Sequence, residues 1–374
     1  MKCLMFIITF GFLSNVFPQN EISHILKAYP DWKTNFSKSN IDYSELISGG
    51  PPKDGIPAIL SPEFEKPGEA AAWLDEKEPL ILVDIGHTAK GYPLQILIWH
   101  ELVNDKIGTT PVLVSFCPLC YSTIVFDRRI DGNELYFGVS GLLRKSDLVM
   151  YDFQTESFWQ QFTGEAIAGD FTGRQLSVLK SQLISFEDFW NNYPDGFILS
   201  KNTGYKRDYG SNPYLGYDSP AQKPFMFNGE YKKDIPPNEK VIGVKIGDSA
   251  KAYPYSISME EKVINDSLNG KNFVVFHKKG TYSVLDQIVI TQSKDAGSTG
   301  IFDRTANGDT LNFYYINNKF KDYETGSTWN ILGKAISGKL LGYQLKRIHS
   351  GDYFAFAWFA FHPSSKIYRK RPSN

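Results

Sequence analysis

LILVDIGHTAKGYPLQILIWHELVND (Leu80–Asp105), shifted by 161 residues, falls on VIGVKIGDSAKAYPYSISMEEKVIND (Val241–Asp266). Ile81, Val83, Ile85, Gly86, Ala89, Lys90, Tyr92, Pro93, Ile96, Asn104 and Asp105 recur identically. After small insertions, Phe126-Asp127-Arg128 meets Phe302-Asp303-Arg304, and Asp152, Thr155, Ser157 and Trp159 meet Asp322, Thr325, Ser327 and Trp329. GEAIAG (Gly164–Gly169) meets GKAISG (Gly333–Gly338). Chance does not keep Gly, Pro, Trp and Asp in order over so much chain, so the pattern reads as an internal duplication. Its period is far beyond the about 20–50 residues of solenoid repeats. Each copy is therefore expected to be a domain-sized unit with its own core.

Within a copy the pattern is mostly β. ILVDIG alternates and ends in Gly; PVLVSF, STIVF, ELYFGVSG and DLVMYD are short β-branched or aromatic runs separated by turn residues. Pro93–Val103 is the exception, with Leu94, Leu97, Ile98 and Leu102 at helical spacing behind a Pro suited to a helix start. A second helix is expected over Ser185–Tyr193, where Ser185 can cap. The expected fold class is α+β, mainly β, in two tandem copies. The expected divisions are a signal peptide (1–19), an irregular Gly/Pro-rich arm (20–78), copy one (79–200), a Gly/Pro/Tyr-rich connection (201–239) and a degenerate copy two (240–374).

Lys+Arg 40 against Asp+Glu 41 argues against a nucleic-acid partner or a strongly anionic membrane. The first residues carry one Lys, an apolar run from Cys3 to Leu13 and then small and polar residues, the shape of a cleaved secretory signal. That run is too short to span a bilayer, and no later stretch is long and apolar enough. A secreted, periplasmic or cell-surface location is expected, where disulfide chemistry is permitted.

The duplication also separates fold from chemistry. Aligned by sequence, Ser115-Phe116-Cys117 meets Val275-Phe276-His277, His100 meets Glu261, and His87 meets Asp248. Cys117 and Cys120, spaced C-P-L-C between two strands, thus belong to copy one alone. Three readings of the pair stay open. As a thiolate knuckle it offers two sulfurs to one copper or zinc ion, with His100 as third ligand, His87 as a weaker fourth and Glu101 behind the His100 imidazole. As a dithiol it cycles with a disulfide, although the strand after it removes the helix that usually lowers a thiol pKa. As a local disulfide or buried pair it only stiffens a turn. Asp147 and Tyr151, with Cys117 and Cys120, are candidate catalytic groups; Ser140 and Arg128 are candidate substrate contacts, although Arg128 recurs as Arg304. There is no P-loop, nucleotide fingerprint or Gly-x-Ser-x-Gly elbow.

ISGGPPKDGIP, AKGYPLQILIWHELVND, SFCPLCYSTIVFDR, FGVSGLLRKSDLVMYDFQTESFWQQFTGEAIAG and NPYLGYD together resemble a family of exported bacterial and archaeal proteins catalogued as a domain of unknown function. The resemblance covers most of residues 45–220, and His100, Glu101, Cys117, Cys120, Ser140, Asp147, Tyr151 and Trp159 match its pattern. It implies export or membrane association and no assigned reaction. The expected function is an exported protein with a copper or zinc site at Cys117/Cys120/His100, an oxidoreductase in one form of that reading. The alternatives are an extracytoplasmic binding or scaffold protein with a structural CxxC, and a thiol–disulfide protein. The partner is an unidentified small molecule or protein.

Overall fold

Gly86 and His87 both adopt positive φ, 59° and 70°, which makes the tight turn between strands Pro79–Ile85 and Thr88–Pro93. Pro93 has no N–H to contribute to the strand and its φ of −59° suits a helix start, so the chain turns into the helix Leu94–His100. The computed structural model describes residues 31–370, so the expected signal segment lies outside the described residues. The helix is shorter than the expected Pro93–Val103. Glu101 takes φ 58° while its N–H closes onto Leu97 O, and Leu102 already pairs with Ser115. An antiparallel meander follows, Leu102–Ile107, Thr110–Cys117 and Ser122–Asp127, then the hairpin Phe137–Arg144/Asp147–Asp152 and strands Phe158–Gln160 and Glu165–Ala168.

The same order of elements recurs from Lys240–Ile246, Ser249–Pro254 and helix Tyr255–Glu261 through to Ala335–Ser337. In each half a later strand closes the first sheet: Ser181–Ser185 adds to Pro79–Ile85, and Ser350–Phe354 adds to Lys240–Ile246. A helix follows each, Phe186–Asn192 and Ala355–Phe361. Ser185 caps the first of these, its Oγ accepting from Asp188 N at 3.1 Å. The architecture is α+β and mainly β.

Residues shared by the two halves make the same bonds twice. Tyr92 and Lys90 both donate to Asp105 (2.6 and 2.7 Å), as Tyr253 and Lys251 do to Asp266 (2.9 and 2.5 Å). Asn104 exchanges two hydrogen bonds with the backbone of Phe137, and Asn265 with that of Phe313. Buried Trp159 donates to Asp152 at 2.9 Å and buried Trp329 to Asp322 at 2.8 Å, with a Thr and a Ser completing each cluster. Arg128 Nη1 donates to Leu135 O and Arg304 Nη1 to Leu311 O.

The strand register corrects the sequence alignment at one place. Leu102 pairs with Ser115 and Val263 with Phe276, so the shift of 161 continues through this strand. Phe116 N donates to Glu101 O, and His277 N to Lys262 O. His277 therefore stands where the first half has Phe116, and Lys278 stands where it has Cys117. Glu101 has Lys262 as its counterpart.

The halves interlock through their closing strands. Gln182 Nε2 donates to Thr299 O (2.8 Å) and Ile331 O (2.9 Å), while Phe354 N donates to Cys120 O (2.8 Å). From residue 31 the arm lies over the first half: Leu46–Ser48 extends the sheet of Phe137–Arg144, and Gly49 N donates to Gly141 O. Gly141 sits at φ +79° in a bulge, and a Cβ there would lie 2.3 Å from Pro51 O, so only glycine fits.

Because Asp152 and Asp322 each satisfy an indole, a hydroxyl and a backbone N–H in the interior, removing either carboxylate strands buried donors. Asp152→Ala and Asp322→Ala should each cost about 2–3 kcal/mol in urea unfolding. A loss confined to one of them would contradict equivalent roles.

Candidate functional site

Cys117 ends the strand Thr110–Cys117, and the turn through Pro118 and Leu119 brings Cys120 back beside it, with Cys120 N donating to Cys117 O at 3.3 Å. Tyr121 leaves the turn at φ 53° and enters the strand Ser122–Asp127, so no helix follows the motif. Both cysteines are free thiols and fully buried. The third group comes from the neighbouring hairpin. Lys145 and Ser146 form its two-residue turn with φ 55° and 65°, a conformation that costs a residue with a Cβ roughly 1–2 kcal/mol. Ser146 Oγ bonds Phe225 O, and Ser146 O accepts from Cys120 Sγ at 3.4 Å. The turn thereby delivers Asp147 to the cysteines.

One ligand atom each from Cys117, Cys120 and Asp147 lies within 4.8 Å of the others, and all three residues are buried. Gln160 Nε2 (2.5 Å) and Phe162 N (2.9 Å) hold Asp147 Oδ2, while Oδ1 has no hydrogen-bond partner. Burial pushes the Asp147 carboxyl up to about 7 against the pull of these donors and of the Cys120 and Cys117 thiols beside it. Glu101 rises to about 8, first through burial and then through the neighbouring Asp147 charge. Burial raises the Cys117 thiol and carries Cys120 well above the ordinary thiol range. The metal-free site is thus acidic in composition and resists ionising.

A cavity of about 610 Å³ adjoins this group. Glu101, Leu119, Val139, Leu142 and Leu148 line it from the first half, Gly49, Pro51 and Ile56 from the arm, and Tyr214, Tyr217 and Phe225 from the connection. Leu119 and Leu148 flank the cysteines and Asp147 in sequence, yet neither sulfur reaches the wall. No residue beyond 240 lines it among the described residues.

The remaining candidates are placed elsewhere. His100 is buried with Nδ1 on Pro57 O (2.7 Å) and Nε2 on Tyr209 OH (2.6 Å), and burial lowers its pKa to about 4. Both ring nitrogens are occupied away from the thiols, and Glu101 is not behind the imidazole. His87 is exposed in the hairpin turn. Tyr151 donates to Asp54 in a separate cluster with Trp32 and Lys53. Ser140 Oγ donates to Val149 O and accepts from Leu142 N, which satisfies the bulge. Arg128 is buried under Tyr136, bonded to Asp105 O and Leu135 O. The carboxylate at the thiols is Asp147, a residue singled out in the sequence for catalysis and not for ligation. Gln160, Tyr214 and Tyr217 were not singled out; NPYLGYD was the one signal for the tyrosines.

The sequence model of a family described as protein of unknown function (DUF3179) matches residues 53–365, and the chain belongs to that family. No curated protein and no solved structure matches it. Among the described residues no helix is long and apolar enough to cross a membrane.

The raised carboxyls make stability depend on pH. A folded-state pKa above the unfolded value favours folding below the unfolded pKa, and that contribution is lost as pH rises through the folded pKa. For Asp147 and Glu101 the loss ends near about 7 and about 8. Buried His100 acts oppositely, its contribution fading as pH falls toward about 4. In metal-free protein Tm should fall as pH rises from about 6.5 to about 8.5. Asp147→Asn should reduce that slope, leaving what Glu101 and Glu78, also raised to about 7, contribute. An unchanged slope in Asp147→Asn would remove Asp147 from this account.

Proposed function

We propose that this chain, whose family has no assigned reaction, is an exported protein holding one transition-metal ion between Cys117, Cys120 and Asp147. One observation carries the reading: two thiols and a carboxylate lie within 4.8 Å of one another, with Asp147 Oδ1 unpartnered. An unsatisfied buried polar atom costs about 1–3 kcal/mol. A structural zinc ion contributes about 10–16 kcal/mol of apparent binding energy in small peptides at neutral pH, ample to cover that cost and to deprotonate the ligands. The donor set discriminates between metals. Copper(I) favours sulfur and imidazole, whereas zinc accepts carboxylate oxygen beside sulfur. With Asp147 in place of His100, zinc is the better fit, and a reading in which the ion itself changes oxidation state, which needs copper, loses ground. The apolar run at residues 3–13 supports export. The repeated element order and repeated buried bonds support descent of the halves from one duplicated unit, the second having lost the thiols.

A second reading is favoured by the cavity. Neither sulfur touches its wall, as in a binding protein whose CxxC is structural. Thiol–disulfide exchange has less support, because burial raises both thiols where such chemistry needs a stabilised thiolate.

Metal analysis after exposure to zinc and to copper(I) separates these readings. Wild type should retain about one ion per chain, zinc in preference, and Cys120→Ser and Asp147→Ala should each weaken retention by roughly tenfold or more. His100→Ala should keep its metal. Equally low metal in wild type and both ligand variants would leave the structural reading standing.

A further inference from the structure

Glu101 is only 6% exposed, yet it lines the cavity and its carboxyl makes no hydrogen bond among the described residues. Its backbone N–H and C=O are both spent inside the fold, on Leu97 O and Phe116 N, so the side chain is what it presents to the wall. The backbone conformation itself is no pointer to function, because Lys262 repeats it at φ 62° in the second half. What differs is the side chain. Apart from Gln222, Lys223 and the hydroxyls of Tyr214 and Tyr217, the rest of the wall is apolar, and Leu215 and Phe225 stand 58% and 46% exposed among the lining residues, an unusual outlay of apolar surface. The polar side chains Gln222 and Lys223 are exposed.

From these features we infer that the cavity binds a small aromatic alcohol, a phenol-class molecule whose ring packs among Leu142, Leu148, Tyr214 and Phe225 and whose hydroxyl meets the Glu101 carboxyl. A pocket of this size with mostly apolar walls and a few polar groups, of which Glu101 is the buried carboxyl, is the usual form of a small-molecule site. The single buried carboxyl selects the head group. A hydroxyl both donates and accepts, so it satisfies Glu101 at little desolvation cost, whereas an ammonium must shed its whole hydration shell for one partner. The assignment stands on the cavity and not on the ion.

The test titrates full-length protein, stripped of metal, with 2-naphthol and with its isostere 2-methylnaphthalene, followed by fluorescence. 2-Naphthol should bind once per chain and about tenfold more tightly than 2-methylnaphthalene. Glu101→Ala should bring the two affinities together while 2-methylnaphthalene still binds. Glu101→Gln, which keeps the shape and a hydrogen-bonding head, should retain part of the preference and covers the case in which the alanine variant does not fold. Equal affinities in wild type, absence of saturable binding, or a preference unchanged in Glu101→Gln and Glu101→Ala alike would each overturn the assignment. Because the protein is metal-free, failure here says nothing against Cys117, Cys120 and Asp147 as ligands, and a chain that takes up no metal can still pass.

Discussion

Desolvation of Asp147 is the constraint around which the first half is arranged. A carboxyl cannot be placed beside two thiols in the interior without fixed donors, and Gln160 and the Phe162 amide supply them from one oxygen's side. The other oxygen is left over. Glu101 adds a further acidic group nearby, and the side chains that press on it and on Asp147 raise both carboxyls by burial before charge. A site built this way is poorly suited to being empty and ionised, and well suited to a bound cation.

The second half clarifies which of these features the fold demands. It repeats the Tyr–Lys–Asp, Asn–backbone and Trp–Asp bonds, and even the left-handed residue after its helix. At the positions of Glu101 and Cys117 it carries Lys262 and Lys278, and Lys278 forms an ion pair with Asp188 at 2.6 Å on the helix that closes the first half. Where one half spends this strand end on thiols, the other spends it on holding its neighbour.

Much of this was legible in the residues. The mainly β class, the repeated element order and the Ser185 cap follow from periodicity and from side chains whose chemistry is local. The site was legible only in part. Cys117 and Cys120 announce each other by spacing, but Asp147 reaches them through a hairpin turn whose two left-handed residues, Lys145 and Ser146, carry no glycine to mark it. His100 precedes the knuckle in sequence by one short strand pair, which suggested proximity; the helix instead aims its imidazole at Pro57 O and Tyr209. The sequence alignment slipped by one residue at Cys117, because Phe116 and Phe276 look alike while ladder register, set by pairing with Leu102 and Val263, does not consult identity. The cavity tyrosines come from an irregular connection, where periodicity has nothing to say.

The hydrogen bond from Phe354 N to Cys120 O ties the CPLC turn to the second half of the chain. The CPLC turn is roofed by a strand from the opposite end of the described chain, and Tyr121 packs its ring against Phe354 at 5.5 Å. With that strand in place, one side of the knuckle is covered. If the proposed ion is bound, its exchange on this side is tied to local opening of the strand Ser350–Phe354. An ion held there would then be retained by the slowness of that opening as well as by its ligands.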